Sequence, residues 1–421
     1  MHFNFILIAF KICIRQIIIL RYNIDSKAIS GTVFVLVFYF IILRRYIMNS
    51  VRYSYEQLKT FCNDAFCKFG FSAEESQNIT DVLLLADLYG IESHGMQRLV
   101  RYHKGIASGL IKLDAKPETV FETPVSAIID GHSGMGQLIA IHAMNLAIEK
   151  AKKSGIAIIS VKNSNHFGIA GYYSKMACDQ GFIGFAMTNS EAIMVPTFSR
   201  LAMLGSNPLA VSVPAKPYPF FFDASTTVVT RGKLEVYNKL SKPLPEGWAL
   251  NESGLPCTDA DKALKCIAGK KGGGIMPLGG NTEQLGSHKG YGYAMICEIF
   301  SSVFSGGLTS NHTYNDGTAG VCHGFMAINP EIFGSGKELE ERFSLFLQEL
   351  RDAPKSEGQS HIYTHGEKEI AAYADRMKNG IDVNINTVAE MKNLCDYLEM
   401  DSIKYLGDVD FSSAKQSFCK Q

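Results

Sequence analysis

The chain of 421 residues is long enough for two or three structural units and a sizeable core, which excludes a short scaffold held together by disulfides or a metal. Hydrophobic residues make up 46% of it, and 41 Lys and Arg balance 41 Asp and Glu, so there is no cationic excess for general nucleic-acid binding. That balance hides an asymmetry, because residues 1–47 hold six basic side chains and one acidic, leaving the rest of the chain at −5.

The first 47 residues also contain twelve Ile and no Pro or Glu. Their longest unbroken apolar run, Val33–Leu43, has eleven residues, fewer than the roughly 18 that a spanning helix needs. Two readings stay open for this extension: sequence upstream of a start at Met48, or a weak membrane segment between Lys27 and Arg44. It has no clean apolar core followed by a small-residue cleavage site, so a secretory signal is not expected. Ten cysteines occur without a CxxC pair, and Cys62 and Cys67 lie on neither zinc-ligand nor redox spacing. Free thiols in a reducing cytoplasm, with no bound metal, are the expectation.

From Tyr53 the pattern is helical. Ser54 with Gln57 reads as a capping box, and Leu58, Phe61, Cys62, Ala65, Phe66 and Phe69 mark one face before Gly70. Ser72 with Glu75 repeats the signal for a second helix that Gly90 ends, and a third is expected from Ser93 to about Ala107. The middle changes character. Short β-rich runs at Ala127–Ile129, Ile156–Val161, Phe182–Met187, Leu209–Val213 and Phe220–Phe222 alternate with helical stretches at Gln137–Lys153 and Ile169–Gln180, the pattern of an α/β layer. A helix at Tyr291–Phe304, a strand at Phe325–Ile328 and helices near Lys337–Arg351, Glu367–Met377 and Val388–Leu398 complete the expected order.

Five segments could carry chemistry, and none of them is a GxGxxG, GxxxxGK[ST], HExxH or GxSxG signature. In Ser93-His94-Gly95-Met96-Gln97-Arg98, with Tyr102 beyond, a helix starting near Ser93 puts His94, Arg98 and Tyr102 on one stripe. Arg98 could clamp a carboxylate, and the positive helix end would bias His94 toward its neutral form. The same residues equally suit an N-cap and a solvated face. Asn163-Ser164-Asn165-His166-Phe167-Gly168 follows a strand, where ligands of α/β sheets tend to sit, and a histidine there exchanges protons near neutral pH. Thr188-Asn189-Ser190-Glu191 and Asp223-Ala224-Ser225 also follow strands and offer hydroxyls for a phosphate or a cap. Ser287-His288-Lys289-Gly290 sets a cation among glycines.

Taken in order, SHGMQR (93–98), NSNHFGIAGYY (163–173), TNSEAIMVP (188–196), GSNPLAVSVPA (205–215), FDASTT (222–227), GKLEVY (232–237), LPEGWAL (244–250), PLGG (277–280) and HKGYGYAM (288–295) resemble the type-2 malate/L-lactate dehydrogenase family from about Tyr53 to Leu398. That family includes ureidoglycolate, sulfolactate and diketogulonate members. The resemblance implies an NAD- or NADP-dependent oxidoreductase that interconverts a small 2-hydroxy acid and its 2-oxo acid in the cytoplasm, as a homodimer. The implied fold is α/β, with a mixed-sheet dinucleotide-binding domain distinct from Rossmann and a helical domain built from both ends of the chain. The corresponding divisions are 48–121 for the N-terminal helical part, 122–320 for the NAD(P)-binding sheet domain, and 321–421 for a strand and helices packing back.

Residue by residue, the resemblance places catalytic histidines at His166 and His94, and substrate anchors at Ser93 and Arg98, with Tyr102 on the same stripe. Dinucleotide contacts fall on Ser190, Asp223, Ala224, Ser225, His288 and Lys289, and near the chain end on His365, Gly366 and Glu367, where many members carry a proline-glycine pair that this chain lacks. His166 is expected to carry the proton and His94 to orient the oxygen, with the reverse assignment open. Malate, L-lactate, sulfolactate and ureidoglycolate all remain as substrates. Two other classes compete. A hydrolase on Ser93-His94 is disfavoured because adjacent helical side chains point about 100° apart. A non-catalytic dinucleotide-binding relative is disfavoured because both histidines and Arg98 are present.

Overall fold

The computed structural model describes residues 50–239 and 242–414, and the extension at 1–47 lies outside them. Among the described residues no helix is long and apolar enough to cross a membrane.

Both expected capping boxes form. Ser54 caps α1 (Tyr55–Phe69) with Gln57 reaching back, Gly70 closes it at φ 111°, and Ser72 with Glu75 does the same for α2 (Ala73–Leu88). The apolar face of α1 is buried as its spacing predicted, with Leu58, Phe61, Cys62, Ala65 and Phe66 facing inward. These side chains share one core with residues from the other end of the chain, including Ile381, Val383, Val388, Met391 and Leu394. The first strand, β1 (Ser50–Tyr53), pairs antiparallel with the last, Ile381–Asn384, so the two ends are joined by backbone as well as by side chains.

The central layer is a mixed seven-stranded sheet. Its strands are β2 (Glu118–Glu122), β3 (Ser126–Asp130), β4 (Ile156–Ser164), β5 (Ile183–Thr188), β6 (Leu209–Val213), β7 (Phe220–Ala224) and a late strand, β10 (Val321–Ile328). In space they run β2-β3-β4-β10-β5-β6-β7, with only the β3–β4 pair parallel. The strand expected at Phe325–Ile328 is therefore longer than its apolar run and lies at the centre, antiparallel to β4 and β5. The sheet draws on residues on both sides of 320.

Helices α4 (Gly136–Ser154) and α5 (Ala170–Cys178) cover one face. Ala140, Ala143, Ala147 and Ala151 bring α4 close to Ile129, Ile159, Val161, Phe325 and Ala327. The other face is covered where α8 (Ser287–Glu298) continues into a π-turn at Ile299–Val303, whose Phe300 carbonyl accepts from Ser160 Oγ at 2.9 Å. Between β7 and α8 the chain builds a satellite unit that the sequence reading did not resolve. It holds α6 (Arg231–Lys239), β8 (Ala249–Leu250), α7 (Ala260–Gly269) and β9 (Gly274–Ile275) around Leu234, Ala263 and Ile275. The last helices, α9 (Gly336–Asp352), α10 (Glu367–Asn379), α11 (Ile385–Leu398) and α12 (Ser402–Leu406), flank β11 (Ile381–Asn384).

Phe325 is fully buried on the central strand, between the rings of Phe167 and Tyr173 and the α4 face. Its replacement by Ala should cost about 3–5 kcal/mol, as for other large-to-small aromatic core changes, measured by urea denaturation. A loss below about 1 kcal/mol would mean that the sheet centre is not the structural core.

Candidate active site

The segment after α2 is not the single helix expected from Ser93 to Ala107. Two 3₁₀ turns, Glu92–His94 and Met96–Arg98, are separated by Gly95 at ψ −139°, and only then does α3 run from Leu99 to Ala107. The one-stripe argument therefore holds for Arg98 and Tyr102 but not for His94. Asp87 supplies the reason. Buried at the end of α2, it accepts the Met96 N–H at 2.7 Å, and a Cβ on Gly95 would lie 2.1 Å from its carboxyl carbon. The carboxyl fills the space that a side chain at 95 would need and holds the backbone out of helical register. From α10, Arg376 donates to the Asp87 carbonyl at 2.5 Å and pairs with Glu92 at 2.9 Å, tying the turn to the C-terminal part of the chain.

This break brings the catalytic and substrate-binding candidates together. The His94 and His166 rings stack at 5.4 Å and 20°, and Tyr102 Oη lies 2.9 Å from His166 Nδ1. Ser93 Oγ lies 2.9 Å from His94 Nδ1, and Arg98 Nε donates to the Ser93 carbonyl at 2.5 Å. In both histidines Nδ1 is engaged by a hydroxyl, which leaves Nε2 as the nitrogen to meet a ligand. Burial pulls His94 down to about 3, with Arg98 and Arg101 adding to the effect. His166 is likewise well below its ordinary value through burial, then Arg101, His94 and Arg98. The expected cause of neutrality, a positive helix end at His94, is thus replaced by burial beside guanidinium groups.

Four further side chains set this geometry: Asn165 and Phe167, which flank His166 in its motif, and His323 and Glu298, which lie outside every motif. Asn165 anchors the His166 loop by donating to the carbonyls of Leu110, Ser133 and Gly134. Phe167 is stacked on His323 at 4.4 Å, and His323 spans from Thr188 Oγ1 to Ser164 Oγ at 2.8 Å each. Glu298, at the end of α8, accepts from Asn189 at 3.2 Å, Asn207 at 2.8 Å and Ser302 at 2.8 Å, as well as from Ser310 through both backbone and hydroxyl. Nothing in a local pattern marks His323, whose two partners are more than a hundred residues away, or Glu298, which joins Ser302 and Ser310 near it in the chain to the distant Asn189 and Asn207.

The residues read as dinucleotide contacts lie on several elements, and one set of them is joined by hydrogen bonds. Ser190 Oγ accepts the Ser206 N–H at 3.1 Å, Thr226 N–H donates to the Ser206 carbonyl, and Leu278 N–H to the Thr226 carbonyl. Ser225 Oγ lies 3.0 Å from Thr227 Oγ1, just after Ala224 ends β7. His288 and Lys289 open α8, and Lys289 lines a cavity of about 300 Å³ with Gly279, Gly286, Gly290 and Tyr293. Asp223 faces inward, accepting the Gly171 N–H at 2.7 Å, and burial raises it to about 6. The His365 ring packs on Phe220 and Phe222, its carbonyl accepts the Phe221 N–H, and Gly366 turns at φ 103° into α10. Burial would raise Glu367, yet hydrogen bonds from Thr364, His361 and Tyr218 hold it at about 2. Its oxygens are engaged within the protein.

Asp87 gives a pH signature. Burial lifts it from 3.8 to about 7, so between these values the unfolded chain loses the proton that the fold keeps, and stability falls as pH rises until it levels off above 7. Asp87→Asn preserves an acceptor for Met96 without this ionisation. The variant should gain on the wild type by a few kcal/mol between pH 4 and 8 in denaturation midpoints, and parallel curves would refute the assignment.

With this geometry in view, the comparisons are specific. The model of the family described as malate/L-lactate dehydrogenase matches residues 53–392. The malate dehydrogenase of Pyrococcus abyssi is 42% identical over 348 residues, 82% of this chain and 94% of that protein. The L-sulfolactate dehydrogenase of Methanocaldococcus jannaschii is 36% identical, over 83% of this chain and 98% of its own. The crystal structure of malate dehydrogenase from Entamoeba histolytica superposes with a TM-score of 0.81 at 35% identity, covering 84% of this chain and 99% of that one. From motif order, matched span and superposed fold together, this chain belongs to the malate/L-lactate dehydrogenase family.

Proposed function

We propose that the protein is a cytoplasmic, NAD- or NADP-dependent dehydrogenase that interconverts a small 2-hydroxy acid and its 2-oxo acid. The observation that carries this reading is the stacked His94–His166 pair beside Arg98, with both Nδ1 atoms held by hydroxyls. Arg98 has its Nε on the Ser93 carbonyl, so its outer N–H groups take the substrate carboxylate. In the tautomer whose Nδ1–H donates to Tyr102 Oη, His166 Nε2 removes the proton of the C2 hydroxyl, and His94 Nε2 orients that oxygen. In the reverse direction a proton must first be loaded onto His166. A bound carboxylate opposes the nearby guanidinium charge that keeps the imidazole neutral, so substrate binding itself raises the proton affinity of His166.

The nicotinamide cofactor, when bound, supplies the hydride acceptor at ring C4. The residues present fit such a group: Lys289 borders a glycine-lined cavity where a Cβ on Gly290 would lie 2.3 Å from the Leu278 carbonyl oxygen, so the backbone is closely packed there. Ser190, Ala224, Ser225 and His288 are further proposed contacts, and Asp223 and the His365-Gly366-Glu367 turn support β7 beside them through the internal bonds described above. A homodimer fits the exposed apolar side chains Tyr293, Ile296, Val303 and Phe304 along α8 and its π-turn, which a second copy would cover.

The direct test follows absorbance at the reduced-nicotinamide band with both cofactors against malate, lactate, sulfolactate and ureidoglycolate and their oxo forms. His166→Asn should lower kcat about 10²–10⁴-fold while melting within a few degrees of the wild type. Near-normal turnover of that variant, with His94→Asn inactive, would reverse the two roles. Complete inactivity of the wild type across the panel would sink the proposal.

A further inference from the structure

We propose that Arg101 reads a second acidic group on the substrate, so that the site selects dianionic 2-hydroxy acids, dicarboxylic or sulfonated, over monoanionic ones such as lactate. This rests on the dehydrogenase reading above and deepens it. Arg98 at the N-cap of α3 and Arg101 and Tyr102 within it stand at i, i+3 and i+4 and so lie toward one side of the helix, where Tyr102 meets His166. Arg101 is the outer of the two cations, exposed where Arg98 is half-buried. Its Nη2 donates to Tyr314 Oη at 2.6 Å and its guanidinium lies 5.4 Å from the Tyr314 ring, which holds the head group in place without neutralising it. Its charge bears on both His94 and His166, and on His166 ahead of that of Arg98.

The surrounding charges are arranged differently. Arg231 is paired with Glu191 and Glu235, Lys270 with Glu191, and Arg376 with Glu92. Among the described residues, neither Arg98 nor Arg101 has a carboxylate oxygen within 4.0 Å. The site thus presents two guanidinium groups without a direct ion-pair partner, at two depths, beside two imidazoles held neutral, with the Glu235 charge bearing on Arg98 from further off. One carboxylate on Arg98 balances one of them, and a second acid group two or three bonds further along the substrate balances the other. A ligand with both removes the repulsion that opposes proton transfer to His166, whereas a monoanion leaves Arg101 unmatched.

The test compares wild type, Arg101→Gln and Arg101→Lys in the full chain, each checked for an unchanged melting temperature. With malate, sulfolactate and lactate as substrates, Arg101→Gln should lose about 10- to 100-fold in kcat/KM for the two dianions and less than about 3-fold for lactate. Arg101→Lys should retain part of the preference, since it keeps the charge. A larger loss with malate than with sulfolactate, or the reverse, identifies which acid group Arg101 engages. Equal losses with all three substrates, or none, would overturn the proposal. A second measurement does not need turnover: calorimetric binding of tartronate against glycolate, with NADH present and absent. The wild type should favour tartronate at least about 10-fold and Arg101→Gln should not. No preference in the wild type, including no binding of either, overturns the role of Arg101, whereas a tartronate preference without turnover of any acid leaves that role standing and fails the dehydrogenase reading instead.

Discussion

The position of His323 at the centre of the sheet is the constraint on which the rest depends. Its ring lies between two hydroxyls, with Nδ1 2.8 Å from Thr188 Oγ1 and Nε2 2.8 Å from Ser164 Oγ, and Thr188 Oγ1 is in turn within hydrogen-bond reach of the Asn189 and Cys322 carbonyls. Burial draws His323 down to about 3 and keeps it neutral. Because β10 lies between β4 and β5, one imidazole links the end of the strand that leads to His166 with the end of the strand that leads to Ser190. The stack of His323, Phe167 and Tyr173 then fixes the loop on which His166 rides.

Around this centre the site is held by buried acids. Asp87 interrupts a helix so that His94 can turn back over His166, and Gly95 is required because the carboxyl occupies the place of its side chain. Glu298 gathers donors from Asn189, Asn207 and Ser310, and so sets the segments that present Ser190 and Ser206. A buried carboxylate ringed by donors in this way is stable because each lone pair has a partner, and removing the carboxylate would leave several donors unsatisfied at once. The acidic surplus of the chain outside its extension therefore says little about its ligand. The region around the two histidines is locally positive, through Arg98 and Arg101, so in the proposed site an anion is drawn by those groups and not by the net field.

Local chemistry made much of this legible in the sequence. The capping boxes at Ser54 and Ser72 depend on contacts within a few residues, and the apolar face of α1, the short strands and the helices at 337–351 and 367–377 show as residue spacing even though their packing partners lie elsewhere. The ordered motifs also named His94, His166, Arg98 and Tyr102, which the fold brings into contact. The extent of the third helix was misread because its interruption depends on a buried carboxyl, which helix periodicity does not see. The exposed edge strand β2 has no buried face to pattern it, and the pairing of β1 with β11 and the assembly of the satellite unit around Leu234 join segments whose contact no local pattern marks.

The sequence alone therefore determined the family, the alternation of strands and helices, and which side chains have the chemistry for hydride-linked acid–base work, since all of these follow from residue identity and spacing. Only the tertiary structure decided that a strand beginning at Val321 separates β4 from β5, that Asp87 shapes the turn at Gly95, and that the histidines are neutral through burial beside arginines. The physical reason is the same in each case: desolvation and long-range hydrogen bonding arise between residues distant in the chain, and no local pattern encodes them.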